Sequence, residues 1–439
     1  MNVGTMIRPM FIEKLTQLYY GRLSRCVVLT GNIHDLFALV EKDQINFLPL
    51  DEFLTETLRN VRYLKENAAE QFIIMTLKSD GIHFCSEDEK RLGAFDKQET
   101  FRSLKKRGIT PQDALKYLGK FLKEVAETRK IVEKEEPEKY VPPICIIIDQ
   151  AETIFPNAPI EQMTTADREI WRYFCDLLRD ETIWADAQTA DTRPDFIILL
   201  SPTVAELNSK IFSLPKVESI EIPFPDKELM KLFIKQRISE MPIPVLYEGK
   251  TDAAEAFAKD ATGLSLRVLD DLITAAQRDP KGLSLDRQTI TAEINKRYGL
   301  ELREVVNIIR PNHTIDDLIG RRLIARLKFF ADEIIDDPEK SPAGAVFVGP
   351  NGTGKTYVAE AFGVYTNRAF ISLGAGIRSK WYGEQGIFLE KIERIVAAYE
   401  KTIIFVDEAD AKFGIMHKSE TYEAEKQFSS KIIEIIGNP

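Results

Sequence analysis

The octet Gly349-Pro350-Asn351-Gly352-Thr353-Gly354-Lys355-Thr356 follows the apolar run Ala345-Val346-Phe347-Val348 and precedes Tyr357-Val358-Ala359-Glu360-Ala361-Phe362. The octet spells GxxxxGK[ST], the run before it reads as a buried strand, and the segment after it reads as a helix. This order has a physical sense. Glycines let the backbone curl until successive N–H groups point inward at phosphate oxygens, Lys355 brings a cation to the β- and γ-phosphates, and the Thr356 hydroxyl can ligate Mg²⁺. The helix adds the positive end of its dipole to the same anion site.

Further along, Thr402-Ile403-Ile404-Phe405-Val406-Asp407-Glu408-Ala409-Asp410 is a continuous apolar run ending in carboxylates. A strand covered on both faces of a parallel sheet has this composition, and its C-terminal end faces the crevice where ligands bind. Asp407 is then expected in the Mg²⁺ shell and Glu408 beside the attacking water. Phosphoryl transfer needs charge placement more than covalent chemistry, so a lysine, a metal and a water-orienting carboxylate suffice locally.

Between these motifs lies Ser379-Lys380-Trp381-Tyr382-Gly383-Glu384. By spacing alone, two aromatics beside a glycine suit a half-buried turn. Taken in order, Thr314-Ile315-Asp316-Asp317-Leu318-Ile319-Gly320, then GPNGTGKT, KWYGE and FVDEAD resemble the ATPase module of the AAA family, in particular the tandem-ring unfoldases of the valosin-containing type. The resemblance covers about residues 305 to 437. It implies that Asp317, Leu318 and Ile319 lie against the adenine and that Gly349, Pro350, Asn351, Gly352, Thr353, Gly354, Lys355, Thr356 and Tyr357 hold the nucleotide. It also implies that Lys380, Trp381, Tyr382 and Gly383 form a pore loop that grips polypeptide. The family module continues past its acidic strand into a sensor strand, an arginine finger and a helical lid. The sequence reaches Gly437-Asn438-Pro439 where the sensor strand is expected, so either the chain is a fragment or a partner subunit supplies those parts.

The remainder bounds the answer. A chain of 439 residues suits two or three domains, each large enough for its own core. With 44% hydrophobic and 29% charged residues and no low-complexity tract, the composition is that of a soluble globular protein. A net charge of −10 disfavours a protein that coats duplex nucleic acid, which would carry a basic stripe. No apolar run approaches the length of a membrane span and the N-terminus lacks a signal-peptide core, so a cytosolic location is expected. Cys26, Cys85, Cys145 and Cys175 are far apart and form no CxxC pair, as are His34, His83, His313 and His417. Buried, reduced thiols are expected and a structural zinc site is not.

The first 300 residues repeat the architecture in altered form. Arg25-Cys26-Val27-Val28-Leu29-Thr30-Gly31-Asn32 reads as a strand entering a tight turn, but Ile33-His34-Asp35 follows and no GK[ST] does. Strands are expected at Gln71–Leu77, Ile144–Ile148 and Phe196–Ser201. The second of these ends in Asp149-Gln150-Ala151-Glu152, with glutamine where the later motif has Glu408. From Asp226 the pattern becomes helical, and the resemblance implies a lid with Gly263 and Arg267 at its sensor position.

The expected fold is therefore α/β, with P-loop AAA+ parallel sheets covered by helices in two tandem modules. The expected divisions are a degenerate core over 1–225, its helical lid over 226–300, and an ATP-binding core over 301–439, with residues Leu300 to Asn312 as linker. The expected function is an ATPase using ATP and Mg²⁺ to remodel or thread protein as a ring oligomer, hexameric by resemblance, with Glu408, Lys355 and Asp407 as its catalytic residues. The alternatives are an ATP-gated assembly scaffold with little turnover and a nucleic-acid-linked ATPase.

Overall fold

A computed structural model describes residues 9–41, 44–59, 72–84, 86–135, 142–158, 162–184, 195–240, 247–249, 253–278, 285–301, 306–309, 313–336, 344–350, 352–366, 368–373, 385–398 and 402–407. The chain divides into two compact units, Met1–Ile222 and Pro223–Pro439.

The first unit is organised by short runs of branched apolar residues, which suit strands covered on both faces. These are β1 (Cys26–Gly31), β4 (Ile73–Lys78), β6 (Ile144–Ile148), β7 (Phe196–Leu200) and β8 (Val217–Ile222). With the short edge strand β5 (Gly81–Phe84) they form a six-stranded sheet in the order β5-β4-β6-β7-β1-β8. All neighbours run parallel except β5, which is antiparallel to β4. Alternate side chains enter different cores. Cys26, Val28, Ile144 and Ile146 face a cluster containing Leu118, Phe121 and Phe174, from the helices Pro111–Glu135 and Thr165–Arg179. Val27, Leu29, Cys145 and Ile147 face Phe11, Leu15, Phe53 and Leu54, from the helices Met10–Tyr20 and Leu50–Arg59. The result is a parallel-dominated sheet between two helical layers.

Local chemistry fixes the helix that begins at Thr165. Thr164 and Asp167 form a reciprocal capping box, the Asp167 carboxylate accepting from the Thr164 amide at 2.9 Å. Buried charge is paired, with Asp195 before β7 accepting from Arg129 at 2.8 and 3.0 Å and from the Ile144 amide at 2.7 Å.

Strands expected near 26, 73, 144 and 196 are present. The sequence reading missed the Met10–Tyr20 helix, the β2 (Leu36–Glu41) and β3 (Gln44–Pro49) hairpin, β5 and β8. β8 is an outer strand buried only at alternate or wider spacing, so it lacks the continuous apolar signature of its neighbours. Cys26 and Cys145 are buried, whereas Cys175 is only half-buried, against the expectation for it; Cys85 lies outside the described residues.

The second unit begins with the helices Lys227–Ser239, Ala254–Asp260, Leu266–Arg278 and Arg287–Glu301. Asp226 caps the first by accepting from the Leu229 amide at 2.7 Å, and Arg237 pairs with Asp270 of the third. A three-stranded sheet follows, of β9 (Val306–Ile309), β10 (Ala369–Leu373) and β11 (Thr402–Val406) in the order β11-β10-β9. β10 and β11 are parallel, and β9 is antiparallel to β10. Leu300 to Asn312, expected as a linker, thus contains the end of one helix and a paired strand.

A second correction concerns Ala345–Val348. It forms no strand, and Val346 and Val348 are 87% and 91% exposed, while Phe347 packs on the core of the helices Arg321–Asp336 and Lys355–Tyr365. Apolar composition does not supply a pairing partner, and among the described residues no strand pairs with it.

Candidate functional site

The glycines of the octet adopt the conformations its turn demands. Gly352 and Gly354 have φ of +79° and +81°, values that L side chains resist, and Gly354 caps the Lys355–Tyr365 helix without any side-chain bond. Among the described residues, no carbonyl takes the amides of Gly352, Thr353 or Gly354. Thr353 instead ties the turn through its hydroxyl, which donates to the Pro350 carbonyl at 2.8 Å. Lys355 folds across the mouth, Nζ donating to the carbonyls of Gly349 and Pro350 at 2.9 Å each. Turn amides that no described carbonyl takes, a helix N-terminus and a lysine at the same turn are the features that anion sites at helix N-termini share.

The helix is held rigidly. Val358, Ala361 and Phe362 pack with Leu327 and Ala331 of the Arg321–Asp336 helix, while Gly363 lets the backbone approach Phe370 of β10, where an added Cβ would stand 3.2 Å from the ring. β10 pairs with β11, and Asp407 follows Val406 at the C-terminal end of β11 as an exposed residue. Thr356 is the second residue of the helix. Asn351, Lys380, Trp381, Tyr382, Gly383 and Glu408 lie outside the described residues.

The turn Thr314–Gly320 lies against the same helix. Asp317 accepts from the amide and hydroxyl of Thr314 at 2.6 and 3.1 Å, and the amide bond above all holds its carboxyl below the usual carboxylate range. Leu318 is buried in the helix cluster beside Val358, whereas Ile319 is 97% exposed. Sequence reasoning passed over His313. Its ring stacks on Tyr357, centroids 3.6 Å apart and planes at 7°, and its Nε2 lies 3.1 Å from the Tyr357 carbonyl and 3.6 Å from the Glu360 carboxylate. A lone histidine 44 residues away from its partner carries no local pattern to reveal the contact.

The corresponding turn of the first unit is built differently. The amides of Gly31, Asn32 and Ile33 are taken by the carbonyls of Pro202, Ile222 and Gly31 at 3.0, 2.9 and 2.9 Å. Asp35, four residues after Gly31, is 1% exposed and accepts from Asn32 Nδ2 and the Leu36 amide. At the end of β6, Gln150 adopts the left-handed conformation and its amide donates to Asp149. Burial raises the Glu152 carboxyl above its usual range, reinforced by Glu206 and opposed by its own backbone amide, Ser201 and His34; its Oε2 is buried without a hydrogen-bond partner. Among the described residues no group of histidine, cysteine and acidic side chains could hold a metal ion, and no helix is long and apolar enough to cross a membrane.

A glycine turn of open amides and a lysine, seated at the start of a helix that lies on parallel strands, defines the second unit as a P-loop nucleotide-site protein. Residues 345–438 match the family described as ATPase family associated with various cellular activities (AAA), and residues 5–223 match the family described as AAA+ chaperone, N-terminal Rossmann-like domain. The chain belongs to the AAA+ ATPases. It is 29% identical over 196 residues to a proteasome-activating nucleotidase of Methanocaldococcus jannaschii, a match covering 40% of this chain and 45% of that one. It is 28% identical over 222 residues to a cell division cycle protein 48 homolog of Archaeoglobus fulgidus, covering 44% of this chain and 29% of that protein. A match to Protein SAV of Sulfolobus acidocaldarius is 27% identical over 217 residues and covers 44% and 28%. The matches thus span less than half the length of each of these relatives.

Proposed function

We propose that this chain binds Mg·ATP in its second unit and hydrolyses it to remodel or thread protein within a ring oligomer. The phosphate turn is the observation that carries this reading. Its amides, which no carbonyl among the described residues takes, and the Lys355 cation suit an anion at a helix N-terminus, within a segment matching the AAA ATPase family. The residues fit the absent ligands, with Gly349 to Thr356 around the phosphates and Thr356 and Asp407 as oxygen donors for Mg²⁺. The metal's contribution is to neutralise charge on the β- and γ-phosphates. Lys355 holds the γ-phosphate against the turn, and Glu408 orients water for in-line attack. Trp381 and Tyr382 grip the polypeptide.

The first unit acts in assembly and substrate positioning rather than hydrolysis. Its turn amides are occupied by carbonyls, and no lysine follows Gly31 as Lys355 follows Gly354.

Protein substrates are favoured over nucleic acid by the net charge of −10 and by relatives named as a proteasome-activating nucleotidase and a cell division cycle protein 48 homolog. Steady-state ATP hydrolysis by the 439-residue chain, alone and with an unfolded protein or DNA, tests the reading. Stimulation by unfolded protein that is lost in Trp381→Ala, with ATP binding retained, is expected. Nucleotide binding with no turnover under any condition would leave an ATP-gated scaffold, and stimulation by DNA alone would leave a nucleic-acid motor.

A further inference from the structure

We propose that the outer face of the helix Arg321–Asp336 docks on the same face of a second copy of this chain, the two helices antiparallel and crossing at Phe329. This is a two-fold contact between like surfaces, whereas a ring joins unlike surfaces head to tail. It does not depend on nucleotide, so a failure of the ATPase reading leaves it standing.

The helix buries one side and leaves the other bare. Leu327 and Ala331 pack with Val358 and Phe362 of the Lys355–Tyr365 helix, and Ile324, Phe330 and Ile334 are partly buried beside them. At 3.6 residues per turn, Arg322, Arg326, Phe329, Asp332 and Glu333 share the opposite side. All five are exposed, and Phe329 is 67% exposed. Asp332 accepts from the Tyr365 hydroxyl at 3.1 Å. Among the described residues, Arg322, Arg326 and Glu333 have no ion pair or side-chain hydrogen bond.

The order of charges selects the occupant. Arg326 stands three residues before Phe329 and Asp332 three residues after it, with Arg322 extending the basic half and Glu333 the acidic half. In an antiparallel pair crossing at Phe329, a residue before the crossing meets the one equally far beyond it on the partner. Each Arg326 therefore meets the other copy's Asp332, with Glu333 alongside, and the two-fold axis makes this contact twice. A parallel pair would set arginine on arginine and acid on acid, which disfavours that orientation. Arg321 and Arg322 also lie in the first turn of the helix, where its own dipole disfavours cations, and the C-terminal end of an antiparallel partner offers them the opposite pole. Phe329 supplies the aromatic centre of the patch, and aromatic and arginine side chains are the types enriched at interfaces. One helix face is small for an interface, so the dimer is weak and depends on concentration.

Sedimentation velocity on the 439-residue chain without nucleotide, over a concentration series, tests the contact. It compares the wild type with two charge-reversed chains, one carrying Arg322→Glu and Arg326→Glu, the other Asp332→Lys and Glu333→Lys. Each reversed chain sets like charges against each other in its own dimer and should associate about tenfold or more weakly than the wild type, since every exposed pair is reversed twice. Mixed in equal amounts, the two chains restore opposite charges at both contacts and should associate as the wild type does. Wild-type association in either reversed chain alone, or a mixture that associates no better than its parts, overturns the proposal, as does a wild type that shows no such dimer at any concentration its solubility allows. Should a reversed chain fail to fold, Phe329→Cys decides. Two copies of that residue meet at the crossing, so mild oxidation should give a covalent dimer that the wild type does not form, and absence of the link overturns the proposal.

Discussion

The side-chain amide of Asn32 donates to the Asp35 carboxyl at 2.7 Å, closing the turn after β1 with a buried acidic side chain. In the second unit the equivalent turn is closed by a cation, Lys355, over its own carbonyls. The two turns therefore differ in the side chain that closes them, acidic in one and basic in the other, and in whether a carbonyl among the described residues takes their amides. A phosphate entering the first would meet occupied amides and a carboxylate in a poorly solvated site, where like charge costs most.

All ATP binding by the chain should accordingly depend on Lys355. Removing a charge-assisted contact weakens binding by about 10- to 150-fold, so Lys355→Ala should take calorimetric affinity down by that factor. Residual tight binding in this variant would locate a nucleotide in the first unit and overturn its assignment to assembly.

Glu408→Gln should separate binding from turnover. The amide keeps the shape of the side chain and removes the charge that polarises water, so ATP affinity should stay within a few-fold while hydrolysis falls by about 10²- to 10³-fold. A coupled assay beside calorimetry reads both quantities. Unchanged turnover would move the water-orienting role to another residue.

The legible parts of this chain are those where one residue type answers one physical demand. β1, β6 and β7 could be read because strands covered on both faces are continuously apolar, and the phosphate turn because only glycine accepts the φ values found at Gly352 and Gly354. Ala345–Val348 was misread for the same reason: its composition is that of an inner strand, but composition does not supply pairing partners, and Val346 and Val348 face solvent. The His313–Tyr357 stack joins two residues with no periodic relation, so only the folded chain could show it. Asp35 is similar, since its effect depends on being buried against the turn rather than on its place in the sequence.

Asp195 fixes the sheet to its covering helix, and its removal should be costly. Its carboxylate accepts two bonds from Arg129 and one from the Ile144 amide, and Arg129 is itself largely buried. Asp195→Ala leaves both without that partner and should destabilise the first unit by about 3–5 kcal/mol, the range for breaking a buried pair from one side. Asp195→Asn keeps an acceptor for the Ile144 amide and should lose less. Chemical denaturation followed by a probe in the first unit measures both. Equal, small losses would show that the pair contributes little.

Glu152 should make stability depend on pH in the sense opposite to that of a salt-bridged carboxylate. Burial, with the Glu206 charge, raises its carboxyl in the folded chain, and its Oε2 has no partner to stabilise the ionised form. A raised folded value means the folded state holds this proton more tightly than the unfolded state. The contribution is therefore fully present below the ordinary glutamate value, about 4.3, and is lost as pH rises through the raised folded value. Glu152→Gln removes the ionisation and keeps the shape. Its melting temperature should match that of the wild type near pH 4 and exceed it at pH 7, the gap opening between those limits and then levelling. Solvent around the half-exposed side chain keeps the gap small. Thermal melts of both proteins at closely spaced pH values decide the point, and a gap that stays flat or reverses would show that Glu152 is ionised without penalty in the folded chain.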